Sequence, residues 1–346
     1  MTNRDRRATL RPGRRAWTVA VIVLCVATGT LAWLGQQAQT PLKLAARDSI
    51  DVQPGDTLAI VMRRLGAAGQ LEHPLAIRAW ARLSGRGDRI VAGEYSLTPG
   101  TTAAGLLADF AAGRVRQHAV RVPEGARFRD LLTTLWASPV LTATLRDRTE
   151  ADIMAALGAP GQPAEGSFLP DTYFVTRGQS DLDVLRRSHA AMRDRLTTLW
   201  QARGPGAPAS MSQALTLASL VEKETGRPDE RPLVAAVLLN RLRLGMPLQI
   251  DSTVIYGLGT QFDGNLTRRD LLTPTPHNTY TQRGLPPTPI ALPSAASLQA
   301  VMNPATVDYL YFVGRGDGSH VFSRTLAEHN QAVDCYQRRQ AQRCTS

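Results

Sequence analysis

The chain is predicted to fold as an α+β protein carried behind one N-terminal membrane helix. Three observations lead there: an uncharged apolar run beside an arginine-rich start, a strand–turn–helix pattern that recurs three times, and helical apolar periods broken by proline-rich loops. At 346 residues and 43% hydrophobic, the chain has enough material for a substantial core and two folded units.

The net charge of +11 invites a nucleic-acid reading, so its location matters. Six arginines (Arg4, Arg6, Arg7, Arg11, Arg14 and Arg15) precede the apolar run, and no nucleic-acid-binding motif follows them. No nucleic-acid partner is expected. The run itself is uncharged from Ala16 to Leu42, with an apolar body from Trp17 to Leu34. That length suits a bilayer-spanning helix, and Trp17 and Trp33 sit where indoles favour the interface. Arginines on the N-terminal side alone predict a cytoplasmic tail over 1–16, a span over 17–35, and a larger extracytoplasmic part. The body is long for a cleaved signal, and no small-x-small site follows closely. Residues 36–48 read as a juxtamembrane linker.

The repeated pattern begins at "IDVQPGDTLAIVMRRL" and returns in "GEYSLTPGTTAAGLLADF" and "HAVRVPEGARFRDLLTTLW". Each reads as strand, Pro-Gly or Pro-Glu-Gly turn, then helix, with Asp56, Thr57 or Thr101 suited to cap the first turn. These units pack as an α+β module, not as one long parallel sheet. Val52, Gly55, Asp56, Thr57 and Leu58 resemble the start of a LysM domain. The resemblance implies a LysM-like, glycan-docking subdomain over 49–117, beside which a purely structural strand–turn–helix stays open.

From Ala151 the chain runs through "AEGSFLPDTYFVTRG", a helical stretch ending near Trp200, and the connector "ARGPGAPASMS". Residues 213–224 then carry a helical period. At 100° per residue, Leu217, Val221, Ala214, Ala218 and Leu215 share one arc, and Glu222 falls on it, while Glu224 projects nearly opposite. Burial penalises the charged form of a carboxyl group, and enzymes keep an acid protonated in this way for donation to a leaving glycosidic oxygen. Glu222 is therefore a candidate acid, and the alternative that it bends outward beside Gly226 into water stays open at this point.

A second helix is expected over "RPDERPLVAAVLLNRLRLGM", with Asp229 or Glu230 at its start, Gly245 as its stop, and Asn240 inside its apolar body. A buried amide either locks two elements or faces a polar cleft. "MPLQIDSTVIYGLGTQFDGNL" reads as turn-rich and carries Gln249, Asp251 and Tyr256. The proline-rich 273–294 excludes regular structure, and Asn278, Tyr280 and Gln282 suit a groove lining or a braced surface loop. Tyr309–Val313 and Ser319–Ser323 form a hairpin before a last helix. Scattered histidines without metal-ligand spacing predict no metal site and no cofactor; Cys335 and Cys344 lie close enough in sequence for their pairing to stay open.

Together "EGSFLPDTY", "LASLVEKET", "LLNRLRLGMPLQIDSTVIYG", "LTPTPHNTYTQRGLPPTPI" and "YLYFVGRGDGSHVFSRTLAEHN" resemble the YceG-like endolytic murein transglycosylases, in the same order. The resemblance implies a catalytic domain over 118–341 ahead of a short tail (342–346). It implies cleavage of the β-1,4 bond between N-acetylmuramic acid and N-acetylglucosamine within peptidoglycan strands, leaving 1,6-anhydro ends. It implies Glu222 as the catalytic residue, Asn240, Gln249, Asp251, Asn278 and Tyr280 as substrate-binding residues, and peptidoglycan polymerases as neighbours at the outer face of a bacterial inner membrane. Ser252, His277 and the Ser167-Phe168 pair depart from the usual pattern without removing an acid. Two alternatives remain at this stage: a glycoside hydrolase using Asp251 as partner carboxylate, and a wall-binding scaffold without catalysis.

Overall fold

The computed structural model describes residues 14–87 and 89–338, and the chain divides into two compact units, Met1–Gln117 and His118–Ser346. The basic tail lies mostly outside the described residues, as do Cys344 and the C-terminal tail.

The first unit contains α1 (Arg14–Gln39), β1 (Asp48–Val52), α2 (Leu58–Ala67), α3 (Pro74–Leu83), β2 (Gly93–Leu97) and α4 (Ala103–Ala112). The two strands pair antiparallel, Asp48 opposite Leu97 and Val52 opposite Gly93. Gly55 turns the chain from β1 into α2 at φ +89°, a left-handed conformation that side chains resist. Thr57 occupies the N-cap position of α2 without a side-chain bond, and Asp56 instead pairs with Arg64 at 2.8 Å. Thr102, not Thr101, caps α4 by accepting from the Gly105 amide.

Trp17–Gln39 is long and apolar enough to cross a membrane. Its indoles at Trp17 and Trp33 are exposed, and the Trp33 ring lies 5.6 Å from that of His73 at the start of α3. Of the expected linker over 36–48, residues 40–47 form no helix or strand, while its first four residues belong to α1. Helix α1 continues to Gln39, and Ala38 and Leu42 are buried in one cluster with Met62, Leu65, Ile77, Tyr95 and Phe110. Small and apolar residues at the end of the span are therefore core residues of the first unit.

The second unit opens with β3 (His118–Arg121), α5 (Phe128–Ala137), α6 (Glu150–Ala156), β4 (Thr172–Val175) and α7 (Asp181–Gln201). There follow α8 (Met211–Glu224), α9 (Arg231–Arg243), α10 (Asp251–Leu258), α11 (Arg268–Leu272) and α12 (Ala295–Met302). It ends with β5 (Tyr311–Gly314), β6 (His320–Ser323) and α13 (Leu326–Tyr336). Strands β3 and β4 pair antiparallel, as do β5 and β6. The stretch expected to be turn-rich holds α10, whose Thr253 and Val254 side chains are buried. Among the described residues, no helix or strand lies between Leu272 and Ala295, where the prolines concentrate.

Two apolar clusters support this unit. One joins Phe128, Leu131, Phe168, Val184 and Leu292; the other joins Leu217, Val221, Val234, Leu238, Leu298 and Met302. Helix α8 thus packs against α9 and α12 on its apolar face, while α10 covers another part of its surface. That second cover is what positions the site.

Candidate active site

A groove of about 420 Å³ runs past the C-terminal end of α8 and is lined by Glu224, Gln249, Asp251, Tyr280, Phe312 and His320, among others. Its floor is organised by Arg241 on α9, whose guanidinium donates to the carbonyls of Leu310 (2.6 Å) and Leu248 (2.8 Å) and lies over the Tyr311 ring. These bonds tie the hairpin and the segment before α10 to one helix. Gln249 takes a left-handed backbone conformation at φ +56°, the sole non-glycine residue to do so among the described residues. Backbone strain of this kind persists where surrounding contacts over-determine it. Here the Gln249 amide donates to Thr279 O at 3.1 Å, and the side chain remains exposed at the groove.

Glu224 and Asp251 are the two carboxyl groups that line this groove. Burial pushes the Glu224 carboxyl up to about 7, helped by the nearby negative charge of Asp251 and opposed by a 3.3 Å hydrogen bond from Ser252 Oγ and by Lys223. Asp251 is itself engaged: the Tyr280 hydroxyl donates to its Oδ1 at 2.5 Å. Burial, that bond, and the charges of Asp251 and Glu224 hold the phenol protonated well above its usual range.

Glu222 lies elsewhere. Its Oε2 accepts from both the amide (2.9 Å) and the hydroxyl (2.6 Å) of Ser294, and its Oε1 lies 3.7 Å from Arg231. Ser294 in turn caps α12 by accepting from Ser297 N. The side chain is only 5% exposed, so the helical arc correctly marked it as buried, but burial here joins α8 to α12. The opposite face of α8 meets α10, and hairpin residues line the groove beside it, which makes Glu224 a groove residue. Periodicity reports which side of a helix is apolar and carries no information about what covers the other side.

The other expected site residues divide. Gln249, Asp251 and Tyr280 come together with Glu224. Asn240 does not: its amide donates to Val307 O and Tyr309 O, both at 2.9 Å, and its oxygen accepts from Arg243. Asn278 is fully buried, donating to Leu271 O and Thr273 O while accepting from Tyr280 N. Both amides brace chain segments, which leaves no polar atom on Asn278 for a ligand.

Sequence reasoning missed a second buried acid. Glu165 accepts from Phe128 N at 3.0 Å, and burial pushes its carboxyl up to about 7 against that bond, a hydrogen bond with Tyr256, and the charge of Arg127. Arg127 covers the Tyr256 ring, which also faces His277. The adjacent Gly166 explains the fixed geometry: its φ is +81°, and a Cβ there would lie 2.5 Å from Pro289. Gly166→Ala is expected to cost about 1–3 kcal/mol of stability by urea unfolding. A neutral result would mean that the loop around Pro289 yields freely.

The YceG-like family model matches residues 50–335. The chain belongs to the YceG-like family. It is 35% identical over 174 residues to the endolytic murein transglycosylase of Bacillus subtilis (strain 168), covering 50% of this chain and 48% of that protein. It is 24% identical over 318 residues to the endolytic murein transglycosylase of Streptococcus pneumoniae (strain ATCC BAA-255 / R6), covering 82% of this chain and 57% of that one. The YceG-like chain thus spans about half the length of these curated relatives. A crystal structure of a yceG-like protein from Listeria monocytogenes is similar at 25% identity and a TM-score of 0.48, covering 83% of this chain and 99% of that one.

Proposed function

We propose that this chain is a membrane-anchored endolytic peptidoglycan transglycosylase with Glu224, not Glu222, as its single acid/base. The observation that carries the reading is a carboxylic acid pushed up to about 7 inside a polar groove. The names of the similar proteins support the substrate class.

Protonated Glu224 donates to the glycosidic oxygen as the bond to muramyl C1 breaks, which frees the N-acetylglucosamine hydroxyl. The resulting carboxylate takes the proton of the muramyl C6 hydroxyl as that oxygen bonds to C1. The product is a 1,6-anhydro ring, and the acid is regenerated without water or an enzyme nucleophile. Gln249 and Tyr280 hold the strand in this reading. Asp251, with one oxygen occupied by Tyr280, supports the developing positive charge at C1 and keeps Glu224 protonated beforehand.

The span over 17–35 anchors the protein in the bacterial inner membrane with its basic tail in the cytoplasm. The LysM-like subdomain docks glycan, and its cleft of about 420 Å³, lined by Thr57, Leu58, Arg78 and Gly87, suits that task. Nascent strands are the substrate, cleavage limits their length, and peptidoglycan polymerases are the neighbouring partners. A hydrolase with Asp251 as second carboxylate is the competing reading, because Asp251 lines the same groove.

Incubating the full chain in detergent with defined glycan strands and reading the new ends by mass spectrometry tests this. Anhydromuramyl ends are expected. Reducing ends would favour the hydrolase, and intact strands would leave a binding scaffold.

A further inference from the structure

Glu230 stands at the N-cap position of α9 but makes no cap bond there. Its buried carboxylate turns to His320 on β6. Oε1 accepts from the His320 backbone amide at 2.8 Å, and Oε2 lies 2.6 Å from His320 Nδ1. Thr225, the residue after Glu224, adds a hydroxyl bond to Oε2 at 3.2 Å, and Arg227 Nε sits 3.5 Å from Oε1. The ring is further fixed edge-on against Phe312 at 5.5 Å, and it lines the groove. Its Nε2 makes no hydrogen bond among the described residues.

Burial works to raise the Glu230 carboxyl, but the bonds from His320 outweigh it and hold the group below the usual carboxylate range. An ionised carboxylate only accepts, so the proton of a neutral imidazole is drawn to Nδ1 and the lone pair is left on Nε2. We propose that His320 presents this bare Nε2 to the groove as the acceptor for a hydroxyl or amide N–H of the bound glycan, and that Glu230 is the positioning residue that sets its tautomer. An acceptor at that point favours sugar hydroxyls and acetamido N–H groups and disfavours carbonyl oxygens, whose lone pairs would oppose its own. The bonds through Thr225 and Glu230 also place this contact on the chain segment that carries the proposed acid. The inference rests on the groove being the glycan site.

The test separates the two. Two-bond ¹H–¹⁵N NMR of the full chain reports the His320 tautomer, and Nδ1–H is expected, with the Nε2 resonance moving when glycan is added. Affinity for a defined muramyl glycan tetrasaccharide is measured in the Glu224→Gln protein, where no turnover interferes. Adding His320→Phe is expected to weaken binding about tenfold, and His320→Gln, which retains an acceptor, to restore part of it. Glu230→Gln, whose amide can donate to Nδ1, is expected to shift the tautomer toward Nε2–H and to weaken binding similarly. An Nε2–H ring in the unaltered protein, or unchanged affinity in a folded His320→Phe variant, overturns the inference, as does a glycan that binds none of these proteins. His320-dependent binding without anhydro products would sink the transglycosylase reading and leave this one standing.

Discussion

Glu224→Gln is expected to lower strand cleavage by about 10²–10⁴-fold, the usual contribution of a positioned acid, while leaving a folded protein. The amide fills the same space but has no acidic proton to give. Glu222→Gln is expected to do the reverse. It exchanges the acceptor of two Ser294 bonds for a neutral group and removes the charge facing buried Arg231, costing roughly 2–4 kcal/mol of stability. Cleavage per folded molecule should survive. A folded, inactive Glu222→Gln beside a fully active Glu224→Gln would return the role to Glu222.

Acid dependence gives the same assignment a second reading. A donor near 7 is protonated below that pH, so turnover should fall about tenfold per pH unit once the medium rises past about 7. Stability carries the same sign. The folded protein holds protons on Glu224 and Glu165 up to about 7, whereas the unfolded chain releases them near 4.5. Their contribution is therefore intact below about 4.5 and is lost as pH rises from there through about 7. Burial shifts His189, His277 and His329 downward, and these oppose the trend below about 6.5. Glu224→Gln should consequently gain stability relative to the unaltered protein at pH 8 by about 3 kcal/mol at most, measured by urea unfolding at pH 8 and at pH 5. Equal changes at both pH values would contradict a neutral buried acid.

The largest structural effect is expected at Asp181. This side chain is fully buried at the start of α7, where Oδ1 accepts from Thr144 N, Thr144 Oγ1 and Leu182 N, and Oδ2 from Leu145 N and Trp136 Nε1. Asp181→Ala strands these donors in the interior at once. A loss of about 3–5 kcal/mol follows, or roughly 10 °C in melting temperature for a unit of this size. The groove residues are untouched, so activity below the melting range should persist. A melting temperature unchanged within a degree would show that water replaces the carboxylate.

Much of this architecture is legible from local chemistry. The apolar run from Trp17, the Gly55 and Gly125 turns, and the apolar periods of α8 and α9 each depend on a few neighbouring residues, and the corresponding elements appear in order. Local reasoning fails where an element is covered by segments distant in sequence. The end of α1 read as linker because its partners in α3 and α4 follow tens of residues later. Asn240 and Asn278 read as groove amides because their polarity is visible in the sequence, whereas the carbonyls that satisfy them are not.

The two glutamates of "VEKE" state the boundary most sharply. Helical geometry alone puts Glu222 and Glu224 on different sides and buries Glu222, and both statements hold, but it gives no sign that Glu224 is buried as well. What differs between them is what each carboxylate meets: Ser294 and Arg231 for one, Ser252, Asp251 and a polar groove for the other. Those partners are brought in by long-range packing of α10, α12 and the hairpin, because the energy of a carboxyl group is set by its surroundings and not by its position along the chain.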